Sequence, residues 1–392
     1  MSDDFTEFTS QSWGGRILNS LKGILFGIVL IPISIILLFW NENRAVTTAK
    51  GLKEGAAAVV SIEATSVVPA NNKKLVHLSD QVTSGDEVLK DPLFGVSAKG
   101  IRLSRSVEMY QWQEEKSSET RKKLGGGTET ATTYSYKQVW SDKLISSGNF
   151  NPEHRLDHQN PTARLADPLT LVGGNVRLGA FKLPSGVIAK MQGDAVLAAT
   201  DEDLAKVAPD LRPKLTLAAG TFYAGADPAN PALGDQRVSF KVLAPAVWSV
   251  IASQIGDTLE PFQPKDGPAI ERVEPGTVSA EVMFKHAASE NAMLTWGLRL
   301  GGFVLMALGL GLIVSPLSVF ADVIPFLGDV VGAGVGFAAM LLAFVGSLTV
   351  IAVTWFAVRP LLTVALAGVA AAALVMAWRR GHARSLQAKS AR

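Results

Sequence analysis

The chain has 392 residues, 48% hydrophobic and 18% charged, with 37 Lys plus Arg against 35 Asp plus Glu. That charge is low for a soluble protein and too high for a bundle of membrane helices alone, and a formal net charge of +2 gives no reason to invoke nucleic acid. With no cysteine in the sequence, disulfides, thiolate metal sites and cysteine nucleophiles are excluded.

In chain order, residues 1–22 are expected to be a cytoplasmic N-terminus carrying Arg16 and Lys22. Gly23 to Trp40 (GILFGIVLIPISIILLFW) is an uncharged apolar run of about 18 residues, roughly enough to cross a bilayer. It reads as an uncleaved signal anchor. Pro32 interrupts it, and it ends in Phe39-Trp40-Asn41-Glu42-Asn43-Arg44, not in a small-residue cleavage site. Trp40 belongs at the water–lipid boundary.

Residues 41–296 read as one aqueous domain. Ala45 to Val60 is rich in small residues and is either a juxtamembrane helix or a flexible lead-in. Val107 to Trp112 and Thr133 to Trp140 alternate with the strand period, placing Tyr110 with Trp112, and Tyr134 and Tyr136 with Trp140. This predicts an aromatic hairpin, with Gln113 to Thr132 as a mobile polar loop. Gly125-Gly126-Gly127 inside that loop lacks the Lys and the strand-to-helix context of a phosphate loop. Further strands are expected at Val238–Val242, at Trp248–Ala252 and through Val278, Ala280, Val282 and Phe284. Pro184 to Met191 and Asp201 to Ala208 are predicted helices, and Ser289 is the predicted cap of a helix leading into the second span. The domain is therefore expected to be a mainly-β sandwich or barrel with helical insertions. It lacks a usable glycosylation sequon, because proline blocks Asn160-Pro161-Thr162, which fits a prokaryotic source.

Residues 297–378 hold three more apolar runs, at about 300–320, 330–358 and 361–378, the last two separated by Arg359-Pro360. A basic tail at 379–392 follows, with Arg379, Arg380, Arg384, Lys389 and Arg392. Basic tails stay cytoplasmic, so an even number of crossings puts 41–296 on the extracytoplasmic or lumenal face. Arg299, Asp322, Asp329 and Arg359 fall at span ends, where snorkelling or capping accounts for them. The spans hold no midplane charge of the kind that ion-coupled transporters use. Small residues repeat every four positions at Gly328, Gly332 and Gly336, at Ala339, Ala343 and Ser347, and at Ala367 with Ala371 and Gly368 with Ala372. Such stripes predict close helix packing within the chain or against a second copy.

No catalytic, cofactor-binding or metal-ligating residue is assigned. His154-Arg155-Leu156-Asp157-His158 has the i, i+4 histidine spacing of a zinc helix, but Pro152 and Pro161 flank it and no general-base Glu accompanies it. His77 and Asp80 stand apart from other chemistry, and a Gly-x-Ser-x-Gly elbow is absent from the sequence.

The run Val107-Glu108-Met109-Tyr110-Gln111-Trp112, with Tyr134-Ser135-Tyr136 and Trp140-Ser141, resembles the transmembrane protein 43 (LUMA) family. Matching elements recur in order along the chain. They are Asn41-Glu42-x-Arg44-Ala45, Leu75-Val76-His77, Asp91-Pro92-x-x-Gly95-Val96, Asn149-Phe150, His158-x-Asn160-Pro161 and Gly220-x-Phe222-Tyr223. Gly234-Asp235-x-Arg237-Val238-Ser239-Phe240, Thr295-Trp296-Gly297-Leu298-Arg299 and Arg359-Pro360-Leu361 complete the set. The resemblance implies a four-span protein of the endoplasmic reticulum and inner nuclear membrane with a lumenal domain. It also implies self-association and binding to lamins and emerin in a eukaryote, or an inner-membrane organising role in a bacterium. The function expected is a non-enzymatic membrane scaffold without cofactors, with the lipid bilayer and a second copy as partners. The competing readings are a channel or transporter component and an envelope enzyme acting on lipid or cell-wall substrates.

Overall fold

A computed structural model describes residues 3–358. The expected span at 361–378, the basic tail and the Ala367 and Gly368 stripes lie outside the described residues. The rest forms two compact units. One is β-rich (3–9, 51–120 and 130–286), and the other is helical (10–50, 121–129 and 287–358).

Three long helices carry the apolar runs. Helix α1 spans Trp13–Ala58, so the first run is only its middle, and the small-residue segment after Ala45 is helical up to Ala58. Pro32 sits inside it without ending it. Helix α4 spans Ala280–Ala321 and α5 spans Pro325–Val358. All three are long and apolar enough to cross a membrane. Two short helices, α2 (Ser185–Lys190) and α3 (Asp201–Lys206), fall where the sequence places them, and a Thr200 capping box starts α3.

The start of α4 corrects two expectations. Val278 to Phe284 is not a strand, and Ser289 caps nothing. Ala280, Met283, Phe284 and Ala287 are the buried positions, a helical i, i+3, i+4, i+7 pattern that coexists with the period-two alternation. Ser279 stands at the start of the helix. Its hydroxyl accepts the Val282 amide at 3.4 Å, beginning the helix ten residues before the expected cap.

Within the helical unit, α1 and α4 approach through glycine. A Cβ on Gly27 would collide with the Gly309 carbonyl, and one on Gly309 would lie 3.1 Å from the Gly27 carbonyl. This is the small-residue contact that lets helix backbones meet in lipid. On α5, Ala339, Ala343 and Ser347 are buried, and Ala343 packs with Leu38 and Met306. The stripe is therefore used within the chain. Gly336 faces open space, and Val350, off the stripe in sequence, packs on the same apolar cluster. Ala343→Leu is expected to lose about 1–3 kcal/mol by overpacking. Gly336→Leu and Val345→Leu, both directed away from the cluster, should leave thermal stability in detergent unchanged.

The β-rich unit is built on two large sheets, with a separate two-stranded pair of Val88–Lys90 and Ser97–Lys99. In the smaller of the two large ones, Ala246–Ile255, Thr258–Glu260, Phe181–Lys182, Arg177–Leu178 and Leu75–Thr83 pair in sequence, and Leu75–Thr83 pairs back with Ala246–Ile255. The path closes into a small barrel. Its filling includes Val76, Leu78, Leu178, Phe181, Val250 and Leu259. Leu75 and Ile251 point the other way and are covered by Met283 and Phe284 at the start of α4. Both faces are thus covered, and Trp248 to Gln254 is buried at every position.

In the larger sheet, Gln236–Leu243 pairs with a 21-residue strand, Arg102–Lys122, which forms a hairpin with Thr128–Ser141. The mobile loop expected over Gln113 to Thr132 is thus mostly strand, and only residues 123–127 turn. Threonine and serine extend the ladder. The hydroxyls of Ser118 and Thr132 lie 3.1 Å apart and those of Thr120 and Thr130 2.8 Å apart, a cross-strand pairing that periodicity of apolar residues does not reveal. A further strand, Asp3–Gln11, pairs with Thr128–Ser141, so residues before α1 join the sheet.

The hairpin divides two cores. Leu103 and Val107 face Phe94, Phe222, Val238 and Phe240, whereas Trp112 lies with Tyr134, Tyr136 and Phe150. The expected aromatic cross-strand contact is present between Tyr110 and Trp140, with centroids 5.3 Å apart. Trp112 and Trp140 are half-buried, however, and the fully enclosed ring is Tyr136. Tyr136→Ala should therefore cost about 3–5 kcal/mol. Trp112→Ala and Trp140→Ala should each cost less, as read by denaturant midpoints.

Candidate functional site

The polar groups of the helical unit collect in two clusters. The first joins all three long helices. Glu42 of α1, 1% exposed, accepts from Arg299 of α4 at 2.6 and 2.8 Å and from the indole N–H of Trp355 of α5 at 2.7 Å. The Arg299 guanidinium also stands 4.6 Å from the Trp296 ring centroid. Next to it, the Asn41 amide donates to the Thr295 carbonyl at 3.0 Å, and Arg44 donates to Asn291 at 3.0 Å. Arg299 is therefore a half-buried, bidentate partner and not a snorkelling end residue.

The second cluster lies where α1 begins and α4 ends. Asp322, 1% exposed, pairs with Arg16 and accepts from Lys122 Nζ at 2.6 Å, and the same Nζ donates to Asp329 at 2.8 Å. Lys122 belongs to the hairpin tip, and the tip is held by its backbone as well. Arg16 donates to the Gly126 carbonyl at 2.6 Å, and the Gly125 amide donates to the Val323 carbonyl at 3.2 Å. The glycine triplet is thus a docking turn. Gly125 and Gly126 have φ of 85° and 79°, and a Cβ on Gly126 would strike the Trp13 ring. Trp13 in turn donates its indole N–H to the Val319 carbonyl at 2.9 Å.

Burial acts to raise the Asp322 carboxyl, but hydrogen bonds from Lys122 and Arg16 outweigh it and hold the group below its ordinary value. Burial acts to lower Lys122, and Asp322 and Asp329 outweigh that and hold it above its ordinary value. The depressed carboxylate contributes stability that is complete above the normal carboxylate range and lost as pH falls through its lowered pKa. The raised lysine contributes stability that is complete below the normal lysine range and lost as pH rises through its raised pKa. The melting-temperature gap between wild type and Asp322→Asn is therefore expected to be constant between about pH 5 and pH 9 and to close on further acidification.

His77, His154 and His158 of the β-rich unit are held by backbone and ring contacts. The 152–158 segment is a series of turns and not a helix. His158 stacks on Tyr136 at 3.9 Å and donates from Nδ1 to the His154 carbonyl at 2.9 Å, while His154 packs on Phe5 at 4.3 Å. Tyr136 donates to Glu114 at 2.7 Å, and burial together with that carboxylate pushes its hydroxyl pKa up. His77, which the sequence leaves isolated, has two partners. Its Nε2 donates to the Val278 carbonyl at 2.8 Å, and its Nδ1 lies 3.2 Å from the Ser61 hydroxyl. Asp80 accepts from the Gln81 amide at 2.7 Å. An open hollow of about 590 Å³ lies between Leu144–Gly148 and Arg155–Thr162, and Asn160 at its wall pairs both backbone groups of Trp112.

Sequence reasoning placed Arg299, Asp322 and Asp329 at span ends but found none of their partners. Glu42 entered only as part of a recurring motif, and Lys122 lay inside a supposed loop. The available signal was the presence of charged residues at the ends of the apolar runs, Glu42 after the first and Arg299 and Asp322 flanking the second.

The profile of the family described as Transmembrane protein 43 matches residues 109–360. Transmembrane protein 43 of Pongo abelii is 34% identical over 394 residues, spanning 98% of this chain and 94% of that protein. The Homo sapiens protein of the same name is 34% identical over 383 residues, 95% of this chain and 93% of its own length. The Drosophila melanogaster Transmembrane protein 43 homolog is 29% identical over 354 residues, 86% and 89% of the two chains. No solved structure matches the chain. The colinear motifs, the three apolar helices and this near full-length identity agree: the chain belongs to the transmembrane protein 43 family.

Proposed function

We propose that this chain is a non-enzymatic membrane scaffold whose β-rich unit is presented to protein partners at a membrane face. The reading includes a fourth span over 361–378, extracytoplasmic placement of most of 41–296, and self-association. The basic residues Arg379, Arg380 and Arg384 after that span support the orientation.

The observation that carries the scaffold reading is the closed pairing of the helical unit's charges. Glu42 with Arg299, and Asp322 with Arg16 and Lys122, tie helices and hairpin tip to one another at both ends. Such pairing suits a rigid platform, whereas ion-coupled transport uses charges that exchange partners near the midplane. Crosslinking of the full chain in native membranes, followed by pull-down, tests this. A recurrent protein adduct or a ladder of self-adducts is expected. Lipid adducts alone, together with ion conductance in reconstituted liposomes, would replace the scaffold with a channel component.

A further inference from the structure

We infer that the hollow between Leu144–Gly148 and Arg155–Thr162 is a docking site for an extended peptide segment of a protein partner, one that carries a carboxylate beside an apolar side chain. The hollow is built and is not a gap between loose loops. Gln111, 0% exposed on the long strand Arg102–Lys122, holds one wall. Its Oε1 accepts the Ile145 amide at 2.9 Å, and its Nε2 donates to the Lys143 carbonyl at 3.0 Å. Asn160 holds the other wall. Its Nδ2 donates to the carbonyls of Trp112 and Ile145 at 2.9 and 3.0 Å, and its backbone amide donates to the Ser147 hydroxyl at 2.7 Å. Both walls are thereby tied to neighbouring residues of one strand and to each other. Loops fixed in advance bind at a smaller ordering cost. The volume, about 590 Å³, falls in the range of sites that enclose a ligand.

The lining states what the ligand must offer. Leu156 is 70% exposed and Leu144 45%, one on each wall. Arg155, also exposed, is the one charged residue of the lining, and it makes no ion pair among the described residues. A single exposed leucine needs no explanation, but two on the walls of a preformed hollow, beside an unpaired cation, form a complementary surface. The cation calls for an anion, and the fork of a guanidinium matches a carboxylate through two parallel hydrogen bonds. The leucines call for an apolar side chain next to that carboxylate. Ser146, Gln159 and Thr162 add hydroxyl and amide groups that an extended backbone can meet. A protein segment suits the site better than a free small molecule, because the hollow is open. A small ligand would leave Leu156 in water, whereas a segment of a larger surface fills the hollow and covers its rim together. The inference rests on the scaffold reading, for which it names a contact surface.

The test pans a phage library of random linear peptides against the full chain in nanodiscs, with empty nanodiscs as the blank. Peptides with Asp or Glu next to Leu, Ile, Val or Phe should be enriched. An enriched peptide, synthesised, should lose about tenfold in affinity against Arg155→Ala, the scale of one charged hydrogen bond. Leu156→Ser should weaken the same peptide, and Arg155→Glu should instead select peptides that carry Lys or Arg. All three variants should keep the wild-type melting temperature, because both side chains are exposed. The chain has no cysteine of its own, so Ser146→Cys reports occupancy cleanly. The peptide should protect it from a maleimide while the exposed Val196→Cys reacts as before. A library with no enriched peptide, enriched peptides without a carboxylate, or unchanged affinity for Arg155→Glu would overturn the site. Protein adducts that still form in native membranes would then keep the scaffold reading, whereas lipid adducts alone would remove it.

Discussion

Arg299→Ala is expected to destabilise the protein by about 3–5 kcal/mol, the range for removing one partner of a buried ion pair. The reason is what remains. Glu42 is enclosed among three helices and would lose both hydrogen bonds that it accepts from Arg299. Arg299→Lys should recover little of the loss, because an ammonium cannot donate through the two-pronged geometry at 2.6 and 2.8 Å or lie flat beside Trp296. The double variant Glu42→Met with Arg299→Met removes both charges and should be more stable than either single charge deletion. Thermal unfolding in lipid nanodiscs reads all of these. A double variant no better than Arg299→Ala would show that the charges are not a buried, mutually dependent pair.

Arg105→Ala should destabilise the β-rich unit by a comparable amount, about 3–5 kcal/mol. Arg105 Nη1 donates to both oxygens of Asp91 at 2.8 and 2.7 Å, and Nε donates to the Asp167 carbonyl at 3.0 Å. Asp91 also accepts the amides of Leu93 and Phe94 at 2.9 and 2.8 Å, closing the turn that carries Phe94 into the core. The guanidinium lies 5.3 Å from the Phe94 centroid. One side chain thus fixes a strand, a turn and an aromatic core residue. Asp91→Asn, which keeps the amide acceptor but removes the charge, should lose less than Arg105→Ala. Equal melting temperatures for Arg105→Ala and wild type would contradict this account.

Local pattern carried much of the architecture. The apolar run around Gly23 to Trp40 marked α1, and alternation marked Gln236–Leu243 and Ala246–Ile255, because apolar periodicity is a property of adjacent residues. Where two periods coexist, as from Val278 to Phe284, side-chain pattern alone picked the wrong one, and the helical face of Ala280, Met283 and Phe284 is the one that packs. The outer half of the hairpin was hidden for a different reason. Its ladder is held by hydroxyl pairs, and a polar strand looks like a polar loop. The clusters were the least legible. Glu42 and Arg299 are 257 residues apart, and nothing local to either residue encodes the other. The Asp91 turn lay between. Its Asp-Pro-x-x-Gly sequence stood out as a motif, but its arginine partner on a neighbouring strand did not.

The two charged clusters also set a length. From Arg16 to Glu42, α1 climbs about 39 Å at the usual helical rise. Ion pairs to Arg299 of α4 and to Asp322 just after it pin both levels, so the apolar band between them cannot be shortened by letting one charge slide inward. A hydrocarbon layer near 30 Å fits between the levels with room for interfacial groups. A markedly thicker membrane would pull a paired charge into the lipid tails, and a thinner one would leave apolar helix in contact with water. Either mismatch carries an energetic penalty that grows with each ångström. If the three helices cross a bilayer, that spacing suits one of ordinary thickness better than a much thicker or thinner one.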